Sequence, residues 1–220
     1  NSFFEIKTKV IKMVCDPWVG MMRDTGTWSY PNIRNNKSIL NKIEPQIIYI
    51  SHLHTDHFDE EILKNYKNKK TKFIIKKFKD SRLKKKIIKL GYKNIKEIDP
   101  WKTFKYKNLE LTIIPCDYNS AEFKSKIFYD LDTSILIYDH LSKTCFYNNV
   151  DNPLNLKSIK KIFNFSKQKY KKIDIAAVAP RSASEFPQCF LNVNRTQMKE
   201  VIIDKCLLRA KKVLQNLKIK

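Results

Sequence analysis

The sequence predicts an α/β domain whose chemistry sits at the end of a buried strand, and three observations predict it. Gln46-Ile47-Ile48-Tyr49-Ile50 is a short, nearly continuous apolar run, as expected of a strand buried on both faces. Next comes Ser51-His52-Leu53-His54-Thr55-Asp56-His57-Phe58-Asp59, which places three of the four histidines within six residues. Asp59-Glu60-Glu61-Ile62-Leu63 then sets acidic residues ahead of apolar ones, the order favoured at a helix N-terminus. The histidines therefore fall on a strand-to-helix turn, where α/β proteins place their reactive groups.

The remaining elements follow in order. Phe3-Phe4-Glu5-Ile6 and Val10-Ile11-Lys12-Met13-Val14 predict two strands joined near Lys7-Thr8-Lys9. The second runs into Cys15-Asp16-Pro17-Trp18, where Pro17 stops the ladder because it has no N–H to donate. Asp16 there is expected to hold the histidine-bearing turn by hydrogen bonds. Residues 21–45 read as loop, with Gly26, Trp28, Tyr30 and Pro31. Trp18 and Trp28 either line a pocket or cover the edge of the core. A helix from Ile62 to Tyr66, a strand over Thr71-Lys72-Phe73-Ile74-Ile75, a basic helix from Asp80 to Leu90 and a strand over Ile95-Lys96-Glu97-Ile98 come next. In the basic helix Ile87, Ile88 and Leu90 are expected to face the core, with Gly91 as the C-terminal stop.

Phe104-Lys105-Tyr106 and Leu109 to Pro115 predict a hairpin around Lys107-Asn108. A second hairpin pairs Leu131–Tyr138 with Thr144–Val150, with His140 exposed in its turn. Ser158–Tyr170 reads as an amphipathic basic helix, Ile173–Ala179 as a buried strand and Met198–Leu217 as a long helix. The apolar side of that last helix is expected to carry Val201, Ile202, Cys206, Leu207, Val213 and Leu214. Residues 1–220 are expected to form a single domain.

Composition narrows the function. With 42% hydrophobic and 12% aromatic residues the chain can build a globular core, and no apolar run is long enough to span a membrane. No signal-peptide pattern opens the sequence. Asn1 is not an initiating Met, so targeting is not legible. Net charge is +22, which admits an anionic partner such as nucleic acid, acidic lipid or a nucleotide sugar. Lysine far outnumbers arginine, and aromatic residues do not alternate with basic ones in a nucleic-acid motif. A compositional bias spread over the surface is therefore favoured over nucleic-acid binding. Cys15, Cys116, Cys145, Cys189 and Cys206 include no CxxC and no Cys-x-His pair. This predicts reduced thiols in a cytoplasmic compartment and excludes a Rieske cluster built from this chain. Oligomeric state is not legible.

The histidine spacing has a chemical meaning. Residues i and i+2 of an extended segment project to one side, so His52 and His54 can offer two imidazoles to one cation. Asp56 and His57 follow the bend and can face a second. Imidazole and carboxylate suit zinc first, with iron or manganese as alternatives. One or two divalent ions are expected.

His-x-His-x-Asp-His after an apolar strand, with an upstream aspartate turn at Asp16, resembles the metallo-β-lactamase superfamily. The resemblance implies a four-layer αββα sandwich with a metal site at one edge. It implies a metal-activated water attacking an ester, phosphoester or lactone, with Asp56 orienting the water or returning its proton. It also implies that Asp151, in Asn149-Val150-Asp151-Asn152, bridges two metals. Where many members carry a further histidine this sequence has Cys116-Asp117-Tyr118-Asn119, so Asp117 or Cys116 is the expected substitute. The last histidine of the pattern has no counterpart before Lys220, so either the chain is truncated or the site is incomplete. Arg181 and the lysines near the mouth, with Trp18, are expected to meet a small anionic substrate.

Asp16-Pro17-Trp18, Leu131-Asp132-Thr133-Ser134, Asn149-Val150-Asp151 and Phe186-Pro187-Gln188-Cys189-Phe190 resemble, in order, the corresponding part of CMP-N-acetylneuraminate hydroxylase and of proteins near ascorbate-6-phosphate lactonase. Three functions are compatible with this. A metal-dependent hydrolase comes first. An iron-dependent oxygenase-type protein acting on a nucleotide sugar, and a non-catalytic binding module with an eroded metal site, are the alternatives.

Overall fold

The computed structural model describes residues 3–19, 38–79, 81–117, 132–152, 154–178 and 194–219. Among the described residues ten strands form two five-stranded sheets. The first contains β1 (Phe4–Lys7), β2 (Lys12–Cys15), β3 (Ile47–Tyr49), β4 (Lys72–Lys76) and β5 (Ile95–Ile98), in that spatial order. β1 and β2 form the expected hairpin, and β2 to β5 run parallel. The second sheet has the order β10 (Ile175–Ala177), β9 (Thr144–Asn148), β8 (Thr133–Asp139), β7 (Leu109–Pro115), β6 (Thr103–Tyr106). It is antiparallel except that β10 runs parallel to β9.

Side-chain alternation sorts the core into three interfaces. Ile47 and Tyr49 of β3 face the second sheet, where they meet Leu111, Ile113 and Ile135. Ile48 and Ile50 point the other way, into a cluster with Leu40, Ile62, Leu63 and Ile87. Those residues come from α1 (Ile39–Ile43), α2 (Glu60–Asn65) and α3 (Arg82–Lys89). On the far side Leu136 and Tyr147 pack under Ile159, Ile162 and Leu217, beneath α4 (Leu156–Tyr170) and α5 (Arg195–Asn216). Helices, sheet, sheet and helices make the expected four-layer αββα sandwich.

Three details differ from expectation. The sequence predicts loop over residues 21–45, yet Ile39–Ile43 is helical. At five residues it is too short to show periodicity, and only Leu40 and Ile43 are buried in it. Ile88 was expected in the core but is 49% exposed, because the inward face of α3 is set by Leu83 and Ile87. Leu207 was placed on the apolar side of the last helix and is likewise exposed. The side chains of Val201 and Ile202, together with Trp28, Tyr30, Arg181 and Cys189, lie outside the described residues. Cys15, Cys116, Cys145 and Cys206 are free thiols. Among the described residues no helix is long and apolar enough to cross a membrane.

Candidate metal centre

The site forms where β3 ends against the start of β8 and the end of β9. Beyond Tyr49 the chain runs through Ser51 and His52, both fully buried, and then turns: the N–H groups of His57 and Phe58 donate to the carbonyl of His54 at 3.0 and 2.8 Å. The turn brings His57 back beside His52, with ring centroids 4.2 Å apart, and leaves His54 4.4 Å from His52 on another side. Phe58 anchors the turn in the helix-side core. Asp59 caps α2, its Oδ1 accepting from the N–H groups of Glu61 and Ile62.

Asp16 holds this turn from behind. Its Oδ1 accepts the Ser51 N–H at 2.8 Å, and its Oδ2 accepts the Ser51 hydroxyl at 2.7 Å and lies 3.0 Å from His57 Nδ1. Asp16 adopts φ +42 and Val150, directly before Asp151, φ +54. The left-handed region costs an ordinary L residue about 1–2 kcal/mol, and a β-branched valine there is an outlier. Both strained residues flank the site, where such strain concentrates.

The front of the site is a ring of nitrogen and oxygen atoms. His57 Nε2 lies 2.8 Å from Asp151 Oδ2 and 3.6 Å from Asp56 Oδ2. His52 Nε2 lies 2.8 Å from His54 Nδ1 and 3.1 Å from Asp132 Oδ1. Two sets, His52–His54–Asp132 and His52–His57–Asp151, each place one donor atom per residue within 4.8 Å of the others. Burial, with His57 and His54 adding to it, holds the His52 pKa well below the usual histidine value. Burial acts the same way on His57, but its hydrogen bonds to Asp151 and Asp16 outweigh it and lift the pKa to about 10. Asp132 is lifted to about 7 by burial and by the nearby Asp151 charge. For Asp151 burial is outweighed by the bond and charge of His57, which hold its carboxyl below the ordinary value.

The donor set fits a divalent cation. Asp132 Oδ1 is buried and accepts no hydrogen bond from a described residue, although His52 Nε2 stands 3.1 Å away. A cation beside a carboxylate oxygen and an imidazole nitrogen would satisfy both.

The sequence reading brought His52, His54, Asp56, His57 and Asp151 to one place, and the structure brings them together. Asp117 is not in either set: the Ser158 hydroxyl donates to its Oδ2 at 3.0 Å, tying it to α4. Asp132, part of the Leu131-Asp132-Thr133-Ser134 resemblance but not among the expected ligands, stands beside His52 and His54, where Asp117 or Cys116 was expected. The reason lies in the register. Pro115 pairs with Thr133, so Asp132 enters β8 opposite the end of β7, where the extra ligand was sought. Trp18 is 1% exposed and belongs to the core, not to a surface a substrate reaches. Arg181 lies outside the described residues.

No family model matches the sequence. A Mycolicibacterium smegmatis protein, provisionally named a Rieske 2Fe-2S iron–sulfur protein, is 32% identical over 98 residues, which is 44% of this chain and 18% of that protein. A Mycobacterium tuberculosis protein of the same provisional name is 32% identical over 93 residues, 42% of this chain and 18% of its own length. The chain thus spans under a fifth of the curated relatives it matches. Among solved structures, CmlA, a diiron β-hydroxylase from Streptomyces venezuelae, superposes with a TM-score of 0.59 at 13% identity, over 90% of this chain and 38% of that one. A variant of CmlA reaches 0.65 over 99% of this chain and 42% of its own. A provisionally named metal-dependent hydrolase from Veillonella parvula gives 0.62 at 12% identity, over 93% of this chain and 79% of that one. These likenesses, with the two-sheet topology, show that the chain has the metallo-β-lactamase-like fold.

Proposed function

We propose that this chain is a metal-dependent hydrolase domain acting on a small anionic ester, phosphoester or lactone, in a cytoplasmic setting. One observation carries the reading: two nitrogen-and-oxygen donor sets sharing His52 converge at the end of a buried strand. His52, His54 and Asp132 would hold one cation, and His57 with Asp151 a second. Zinc is the first choice, with iron or manganese as alternatives. A divalent ion held there polarises a substrate oxygen and lowers the pKa of water to about 7. Asp56, 27% exposed and 3.6 Å from His57, would take a proton from attacking water and return it to the leaving group. Arg181 and nearby lysines are assigned to the anionic substrate by charge alone.

The test is elemental analysis of the purified protein, followed by zinc, iron and manganese titration. Near-stoichiometric metal that His54→Ala removes supports the proposal. A protein that stays metal-free throughout the titration defeats it.

A second reading has its own support. The sequence relatives bear Rieske names and one fold neighbour is a diiron hydroxylase, which favours iron-dependent oxygenation with an external electron donor, the nucleotide-sugar substrate resting on the hydroxylase resemblance alone. Iron content and oxygen uptake with an added reductase separate it from hydrolysis.

A further inference from the structure

We propose that Ser51 is a positioning residue: its single hydroxyl proton, donated to Asp16, fixes the tautomer of His52 and so aims the His52 Nε2 lone pair at the space between His54 and Asp132. The Ser51 hydroxyl donates to Asp16 Oδ2 at 2.7 Å. Towards His52 Nδ1, 2.9 Å away, Ser51 then presents only a lone pair, so Nδ1 must carry the ring hydrogen. In the neutral ring Nε2 is left bare, facing His54 and Asp132. His57 obeys the same rule through the same carboxylate: its Nδ1–H donates to Asp16 Oδ2 at 3.0 Å, which turns Nε2 towards Asp151.

Ser51 also links this relay to the other sheet. The Thr133 hydroxyl donates to the Ser51 carbonyl at 2.8 Å, so at its 2.6 Å contact with Tyr49 the tyrosine is the donor. Thr133 is the residue after Asp132. One serine therefore fixes the backbone next to one carboxylate and the tautomer of the imidazole that this carboxylate faces. Every polar group of Ser51 is engaged, and the residue is fully buried. Outer hydrogen bonds of this kind set ligand orientation, and losing one typically weakens metal binding about 10–100-fold.

The experiment is nitrogen-15 NMR of the histidine rings in the metal-free full chain, with zinc alone then titrated. His52 is expected to carry its hydrogen on Nδ1 in the wild type and in Ser51→Thr, which keeps the hydroxyl. Ser51→Ala is expected to shift His52 towards the Nε2–H form and to bind zinc about 10–100-fold more weakly, with Ser51→Thr restoring most of the affinity. A wild-type His52 with its hydrogen on Nε2 overturns the proposal, and that spectrum needs no variant to fold. An unchanged tautomer in Ser51→Ala overturns it as well. Only the affinity arm rests on the metal reading: Nδ1–H in a wild type that binds no metal defeats that reading and upholds the assignment of Ser51.

Discussion

Oδ2 of Asp151 lies 2.8 Å from Nε2 of His57, although 94 residues separate the two in sequence. His57 comes from the turn after β3 in one sheet and Asp151 from the end of β9 in the other. Their contact therefore reports how the sheets are set against each other at the site edge. Asp151→Asn keeps the shape and removes the charge. The expected outcome is a folded protein with unchanged circular dichroism whose metal content falls well below that of the wild type. Elemental analysis after gel filtration checks it.

Asp132 and Asp117 provide a matched pair, because both stand near the end of β7 but only Asp132 faces the imidazoles. Asp132→Ala is expected to weaken zinc binding by at least about 10-fold, since even outer-shell losses reach that size. Asp117→Ala is expected to leave zinc affinity unchanged and to cost about 1 kcal/mol of stability, from its lost bond to Ser158. Isothermal titration and urea denaturation of the two variants read both quantities. The opposite pattern would return the ligand role to Asp117.

Acid sensitivity has a source away from the candidate metal centre. Glu110 faces α4 from β7 and is 2% exposed, with Lys169, Tyr170 and His140 bonded to its carboxylate. Burial raises its pKa, but the bonds to Lys169 and Tyr170 outweigh that and hold it below the ordinary carboxylate value. A depressed folded pKa means that this stability is fully present above the unfolded value, about 4.3, and is lost as pH falls through the folded value. Glu110→Gln is expected to destabilise by about 1–3 kcal/mol at pH 7. The gap to wild type should narrow below about pH 4, where the native carboxylate is itself being protonated. Urea midpoints from pH 7 to pH 3 measure the gap, and a constant difference would count against this account.

How much of this was legible in the chain depends on how far each signal reaches. His52, His54, Asp56 and His57 share one turn, so local spacing alone revealed them. All ten strands were anticipated because their apolar runs are short and bounded by Pro, Gly or charged turns. Asp151 needed the family resemblance, since nothing local separates it from a turn aspartate. Its placement depends on long-range bonds such as Asn152 Nδ2 to Ser134 Oγ at 3.1 Å. Asp132 was missed because its place beside the imidazoles comes from strand register, which pairs Thr133 with Pro115 and leaves no trace in the spacing around it. α1 was missed because two buried residues cannot show a helical period.

The scarcity of glycine, three in 220 residues, leaves ordinary side chains in backbone conformations that glycine suits. Glu44, at the C-cap of α1, has φ +54 and ψ +57, and its N–H donates to the Leu40 carbonyl. It is exposed and stands in the left-handed geometry in which helices most often end on glycine. A side chain there costs about 1–2 kcal/mol of backbone strain, partly offset by the greater freedom that glycine has when unfolded, about 0.5–1 kcal/mol. Glu44→Gly is therefore expected to stabilise by a few tenths to about 1 kcal/mol, raising Tm by about 1–4 °C for a chain of this size. Because α1 packs on the helix-side face of the first sheet, opposite the face that meets the second sheet, zinc affinity should not move. Thermal melts of the metal-free protein decide it, and a fall in Tm would show that the Glu44 carboxylate contributes more than the strain it imposes.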